Sequence, residues 1–215
     1  MFKRVIIVDY GVGNLLSVAR AFERCSASVV LAEDAAMLSG ASHLVLPGVG
    51  AFGDCASALH ARGLGHAVLE HVAKGRPLLG ICVGMQMLLD ASEEFGLHAG
   101  LGIIPGVVTA IWNADVEGRQ LKVPHIGWSP LVMPDGGKAS WAGTVLESIT
   151  KESAAYFVHS FHAEPATNEH RIADALYGGR RIAAVVGRDA VFGTQFHPEK
   201  SGRLGLAMLA AFFRS

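Results

Sequence analysis

The sequence predicts a single three-layer α/β domain with a mostly parallel central sheet, helices on both faces and additional antiparallel or mixed strands. Three observations predict it. Short β-branched runs alternate with helical stretches through the first half, the pattern of parallel strands joined by crossover helices. The second half carries closely spaced strand-like runs with short turns, the texture of an antiparallel or mixed extension. No compositional seam, internal repeat or low-complexity tract divides the 215 residues, so residues 1–215 read as one domain.

Taken in order, Val5-Ile6-Ile7-Val8 reads as a buried first strand, followed by a helix over roughly residues 15–25. Val29-Val30-Leu31 and His43-Leu44-Val45-Leu46 are the second and third strands, the latter closed by Pro47-Gly48. Residues 54–74 suit helices broken around Gly63-Leu64-Gly65. Pro77-Leu78-Leu79-Gly80-Ile81 is a fourth strand running directly into a helix from Val83 to about Glu94. Later strands are expected at 106–111, 155–158, 182–186 and 190–195, before an apolar helix at 204–213.

The composition excludes several classes of function. A hydrophobic fraction of 51% against 17% charged residues supports a large core and excludes a disordered chain. Eighteen basic and nineteen acidic residues leave a net charge of -1, so no global field recruits nucleic acid or an anionic membrane. The apolar run at 204–213 is about half the ~20 residues a membrane span requires. The opening Met1-Phe2-Lys3-Arg4 leads to Asp9 too soon for a secretory leader, and a cytoplasmic location is expected. Cys25, Cys55 and Cys82 are odd in number and widely spaced, which fits neither a disulfide framework nor a zinc site. One of them is free to be a nucleophile.

Gly80-Ile81-Cys82-Val83-Gly84 has the layout of a nucleophile elbow, a reactive side chain between two glycines where a strand turns sharply into a helix. A side chain at either glycine would crowd that turn. The helix N-terminus also favours a thiolate, because its unpaired N–H groups and dipole stabilise negative charge. Cys25 and Cys55 sit in amphipathic helical stretches without such a turn and read as packing residues.

Thr194-Gln195-Phe196-His197-Pro198-Glu199-Lys200-Ser201 offers a candidate base and its orienter, with a surface turn at His-Pro-Glu as the alternative. In an extended segment residues i and i+2 project to one side, so His197 and Glu199 can reach a common site, with Pro198 stiffening the spacing. A carboxylate there fixes the imidazole tautomer and stabilises the imidazolium that forms on proton uptake.

Leu46-Pro47-Gly48-Val49-Gly50-Ala51-Phe52 lies between a predicted strand and a predicted helix. Glycines on both sides of Val49 let the backbone present N–H groups to the oxygen of a tetrahedral intermediate. No Gly-Lys-Ser/Thr follows, which argues against a phosphate loop. Asp9-Tyr10-Gly11-Val12-Gly13-Asn14-Leu15-Leu16 has Leu16 where a dinucleotide fingerprint has its last glycine, so no nicotinamide cofactor is expected.

Together these segments resemble the class I (triad) glutamine amidotransferases, and within that family the glutaminase subunits of imidazole glycerol phosphate synthase. The resemblance spans nearly the whole chain. Beyond the segments above, it is carried by Lys122-Val123-Pro124-His125-Ile126-Gly127-Trp128 and Tyr156-Phe157-Val158-His159-Ser160. The sequence departs from the family's usual pattern at Ser129, where Asn is common, and at Phe161-His162, where Tyr-Tyr often stands.

The resemblance implies a class I amidotransferase-like, flavodoxin-like fold and a catalytic triad of Cys82, His197 and Glu199. It implies an oxyanion hole from the backbone N–H groups of Val49 and Val83, and a glutamine pocket using Gly50, Gln86, Ser160 and Phe161. It places Asn14, Trp128 and Lys200 toward a partner, a (β/α)8-barrel cyclase subunit that uses the ammonia within a heterodimer. No cofactor and no metal is implied; His159 and His162, three apart on a strand, would point to opposite faces. Two other readings share the same chemistry. One is a glutaminase feeding a different sugar-modifying synthase, and the other a stand-alone cysteine hydrolase.

Overall fold

The computed structural model describes residues 4–136, 140–150 and 153–215, so Met1, Phe2 and Lys3 of the opening segment lie outside the described residues. Strand β1 (Arg4–Val8) leads through helix α1 (Leu15–Glu23) to β2 (Ser28–Ala32), then through a short α2 (Ala35–Leu38) to β3 (His43–Gly48). Helices α3 (Phe52–Ala61) and α4 (Leu64–Ala73) follow, split within the break expected around Gly63-Leu64-Gly65 by Gly63, whose φ of +66° is left-handed. Strand β4 (Leu78–Cys82) runs directly into α5 (Val83–Gln86).

The second half contributes β5 (Ala91–Ser92), β6 (His98–Ala99), β7 (Gly106–Ala110), β8 (His125–Pro130), β9 (Ala154–His159) and β10 (Phe161–Pro165). It ends with β11 (Arg171–Tyr177), β12 (Arg180–Arg188), β13 (Val191–Thr194) and helix α6 (Gly202–Arg214).

The main sheet has seven strands in the order β11-β12-β13-β4-β3-β1-β2. From β13 to β2 all pairs are parallel, and β12 and β11 extend that sheet antiparallel. Val5, Ile6, Ile7, Val8, Leu44, Val45, Leu46, Leu78 and Leu79 are all buried, as expected for parallel strands covered on both faces. The fold is therefore the mixed α/β arrangement read from the sequence. A four-stranded sheet (β10-β7-β5-β6) and a two-stranded one (β8-β9) stand beside it. Among the described residues no helix is long and apolar enough to cross a membrane.

Register decides where chemistry can occur. Gly48 at the end of β3 pairs with Cys82 at the end of β4, and Thr194 at the end of β13 pairs with Ile81. The glycine loop, the elbow and the His-Pro-Glu segment thus leave the C-terminal ends of three adjacent strands, the edge at which open α/β sheets bind ligands.

Strands β5, β6, β8, β10 and β11 fall where the sequence predicts none, and the helix after Cys82 differs from expectation, stopping at Gln86 instead of about Glu94. The carbonyls that would continue it are taken by the returning chain: Leu101 N–H donates to Met87, Gly102 to Leu89 and Ile103 to Leu88, at 2.8 to 3.1 Å. Glycine permits that approach, since a Cβ on Gly100 would lie 2.1 Å from the Leu89 oxygen.

Candidate active site

Cys82 adopts φ +55° and ψ −113°, a conformation sparsely used by residues with a side chain. Such strain, of order 1–3 kcal/mol, persists only where the surroundings enforce it. The enforcing contacts are visible at the glycines. A Cβ on Gly84 would sit 1.8 Å from the Leu46 oxygen, and one on Gly80 would sit 2.7 Å from the Gly84 oxygen. The elbow is a three-way backbone contact among β3, β4 and α5 that only glycine allows.

The sulfur opens onto a cavity of about 290 Å³ lined by Val49, Gly50, Val83, Gln86, Ser160, Phe161 and His197 among others. Every residue expected in the triad neighbourhood, oxyanion hole and glutamine pocket except the buried Glu199 therefore borders one space. Lys200 borders it as well. Asn14 and Trp128 do not; Asn14 precedes α1, and Trp128 stands 58% exposed on β8.

Glu199 reaches the site through His197, its Oε1 lying 2.9 Å from Nδ1, with the two side chains 1% and 5% exposed. The i, i+2 spacing predicts an extended segment with both side chains on one side. Instead Pro198–Lys200 forms a 3-10 turn after an extended His197, and the contact is made by the turn. Burial alone would lower the His197 pKa, but the Cys82 sulfur and the Glu199 carboxylate outweigh it and push it up to about 9.

The glycine loop is held from beneath. The Tyr10 hydroxyl donates to the Pro47 oxygen at 2.6 Å, and the Cys55 thiol donates to the Val49 oxygen at 3.3 Å. Burial raises both groups above their ordinary range, which keeps them protonated as donors. Cys55, read from sequence as packing only, thus touches the candidate oxyanion loop. Gly50 has φ +91° with open space around it, a backbone requirement and not a packing one.

Two further residues escaped the sequence reading. Glu94 is 8% exposed, borders the cavity and accepts from the Phe52 N–H at 2.6 Å. It was hidden by the expected continuous helix; the broken helix turns its carboxylate inward. Gln195 is fully buried, accepts from the Gln86 amide at 3.1 Å and directs its own amide to the Cys82 sulfur at 3.8 Å. Its only signal was the position two residues before His197.

Among the described residues no group of three or more His, Cys, Asp or Glu is placed to hold a metal ion. His159 borders the cavity, whereas His162 packs on Trp112 with ring centroids 4.8 Å apart. The arrangement combines a sulfur, a protonatable imidazole oriented by a carboxylate, and a second buried carboxylate across a small cavity. That set suits acyl transfer from a small substrate carrying both an amide and an ammonium group.

Comparison with known proteins agrees. Residues 6–215 match the family model described as glutamine amidotransferase class-I. The chain is 47% identical over 210 residues to "Imidazole glycerol phosphate synthase subunit HisH 1" of Legionella pneumophila (strain Lens), covering 98% of each chain. It is 44% identical over 209 residues to "Imidazole glycerol phosphate synthase subunit HisH" of Syntrophotalea carbinolica, covering 97% of this chain and 98% of that one. Among solved structures, PurLQS from Thermotoga maritima aligns with a TM-score of 0.72 at 18% identity, covering 100% of this chain and 99% of that one, a likeness of fold.

Proposed function

The chain belongs to the glutamine amidotransferase class-I family, and on that premise we propose that it is the glutaminase subunit of an imidazole glycerol phosphate synthase. The observation that carries the chemistry is that Cys82 and His197 border one cavity while Glu199 orients the imidazole. The near full-length likeness to HisH subunits supports the choice of synthase. Residues 1–215 act as one amidotransferase domain.

The Cys82 thiolate attacks the side-chain amide carbon of L-glutamine. A carbon–sulfur bond forms, and the carbonyl electron pair moves onto oxygen, held by the Val49 and Val83 N–H groups. Collapse breaks the carbon–nitrogen bond while imidazolium His197 gives its proton to the departing nitrogen, releasing ammonia. The remaining γ-glutamyl thioester is attacked by water, whose proton His197 takes. Glutamate leaves and the thiolate is restored.

Gly50, Gln86 and the backbone of Ser160 and Phe161 position the substrate, and the buried Glu94 carboxylate pairs with its α-ammonium. The ammonia passes to a (β/α)8-barrel cyclase bound as a heterodimer. There it completes imidazole glycerol phosphate and aminoimidazole carboxamide ribotide for histidine biosynthesis. Asn14, Trp128 and Lys200 face that partner.

The test is to measure glutamine hydrolysis by the chain alone, with the cyclase, and with cyclase plus its phosphoribulosyl substrate. Hydrolysis should rise at each addition and vanish with Cys82→Ala. No response to the cyclase would overturn the choice of partner, and substantial turnover by the alanine variant would overturn the mechanism.

A further inference from the structure

Behind the cavity wall, on the β8-β9 pair, lies a row of polar side chains, Ser129, His125 and His159, that the catalytic scheme does not use and that runs to the Phe161 carbonyl of β10. Ser129 Oγ is 2.8 Å from His125 Nε2, His125 Nδ1 is 3.1 Å from His159 Nε2, and His159 Nδ1 is 2.8 Å from the Phe161 backbone oxygen. The last group is a carbonyl, which can only accept. His159 therefore carries its proton on Nδ1 and accepts at Nε2, so His125 must donate from Nδ1. His125 in turn accepts at Nε2, and Ser129 donates. One obligate acceptor sets the direction of every bond.

Burial keeps both rings neutral, with His125 pushed down to about 4 and His159 to about 3. Neutrality is what makes the tautomer a two-way choice in each ring. The Phe161 oxygen also takes the Gln86 amide at 3.0 Å, and Gln86 continues through Gln195 to the Cys82 sulfur. His159, Phe161 and Gln86 border the cavity; His125 does not.

We propose that His125 is a positioning residue for glutamine binding. By donating to the Nε2 that the Phe161 carbonyl leaves unprotonated, it fixes the His159 ring, and with it the Phe161 carbonyl and the Gln86 amide, in the cavity wall. The inference deepens the glutaminase reading and rests on it. Without that donor the His159 Nε2 lone pair is left without its partner, and the ring, held then by the Phe161 oxygen alone, is free to tilt and carry that carbonyl with it.

His125 also stacks on Phe157 and Tyr177, with centroids at 4.9 and 4.1 Å, so a purely structural role must be separated. His125→Phe keeps a stacking ring and removes the donor; His125→Gln keeps a donor and an acceptor. In the complex with the cyclase, His125→Phe should raise the glutamine KM about tenfold with kcat changed less than about threefold, and His125→Gln should recover most of the loss. Nitrogen-15 NMR of the histidine-labelled full chain should show His159 protonated on Nδ1 in both proteins, with its Nε2 resonance moved in His125→Phe toward that of a nitrogen without a hydrogen bond and restored in His125→Gln.

An unchanged KM in His125→Phe, or an Nε2-protonated His159 in the wild type, overturns the proposal. Should His125→Phe fail to fold, the wild-type His159 tautomer together with the His125→Gln KM decides it. A wild-type complex that does not hydrolyse glutamine defeats the glutaminase reading as well; a competent wild type with an unresponsive His125→Phe defeats only this inference.

Discussion

The Nδ1 atom of His197 lies 2.9 Å from Oε1 of Glu199, which leaves Nε2 as the nitrogen available to Cys82. The Glu199 side chain is almost fully buried, and its other oxygen, Oε2, has no hydrogen-bond partner among the described residues. The carboxylate beside Nδ1 and the sulfur on the other side of the ring favour imidazolium over imidazole.

The pH dependence of stability follows from that preference. Burial lowers the His197 pKa, and Cys82 and Glu199 more than offset it, giving about 9 against an ordinary 6.5. Because the folded value is the higher one, the stabilisation is complete below about pH 6.5 and is lost as pH rises through about 9. Urea unfolding across that window should show stability falling, with a shallower fall in Cys82→Ala, which removes one of the two groups that raise the value. Identical slopes in the two proteins would remove the sulfur from the electrostatics of His197.

A remote glycine should control the same pair. A Cβ on Gly205 in α6 would lie 1.8 Å from the Pro198 oxygen, in the turn that carries Glu199. Helix propensity alone favours alanine by about 1 kcal/mol. The clash reverses the sign, and Gly205→Ala should cost about 2–3 kcal/mol and lower kcat about tenfold by shifting Glu199. Gly65→Ala in α4 is the control, since its nearest neighbour would be 3.6 Å away; it should be neutral or slightly stabilising. Equal behaviour of the two variants in thermal unfolding would refute the contact.

Much of this site was legible because local chemistry forces it. Cys82 between Gly80 and Gly84, and Glu199 two residues after His197, are patterns whose geometry a few residues dictate. Glu94 was not legible, because Met85-Gln86-Met87-Leu88-Leu89 reads as helix and only the distant residues 101–103 capture its carbonyls. The same limit hid strand β8, where Gly127 and Pro130 lower strand propensity and the pairing with β9 supplies the order. Cys55 failed for another reason: its helix packs as expected, and its contact with Val49 depends on where the loop folds back.

Glu94→Gln separates charge from hydrogen bonding in the pocket. The amide oxygen can still accept from the Phe52 N–H, now bonded at 2.6 Å, so the fold should be retained. The lost charge removes a buried partner for an ammonium, a contact worth roughly 2 kcal/mol or more. The glutamine KM should therefore rise about thirtyfold with a smaller change in kcat. An unaltered KM in steady-state assays of the complex would mean that the α-ammonium binds elsewhere.

Strand β8 presents two chemistries by simple alternation. His125 and Ser129 face inward, while Ile126 and Trp128 face out, 54% and 58% exposed, with Trp128 set edge-on against Tyr156 at 5.9 Å. A tryptophan in the core would cost several kcal/mol of stability on truncation, but one already more than half in water costs little. An exposed aromatic beside an exposed isoleucine is the pattern of an interface anchor, where truncation commonly costs about 2 kcal/mol or more. Trp128→Ala should leave the thermal midpoint of the isolated chain nearly unchanged and raise the Kd for the cyclase about thirtyfold by calorimetry. A large fall in the midpoint with an unchanged Kd would return Trp128 to a structural role and move the partner face elsewhere.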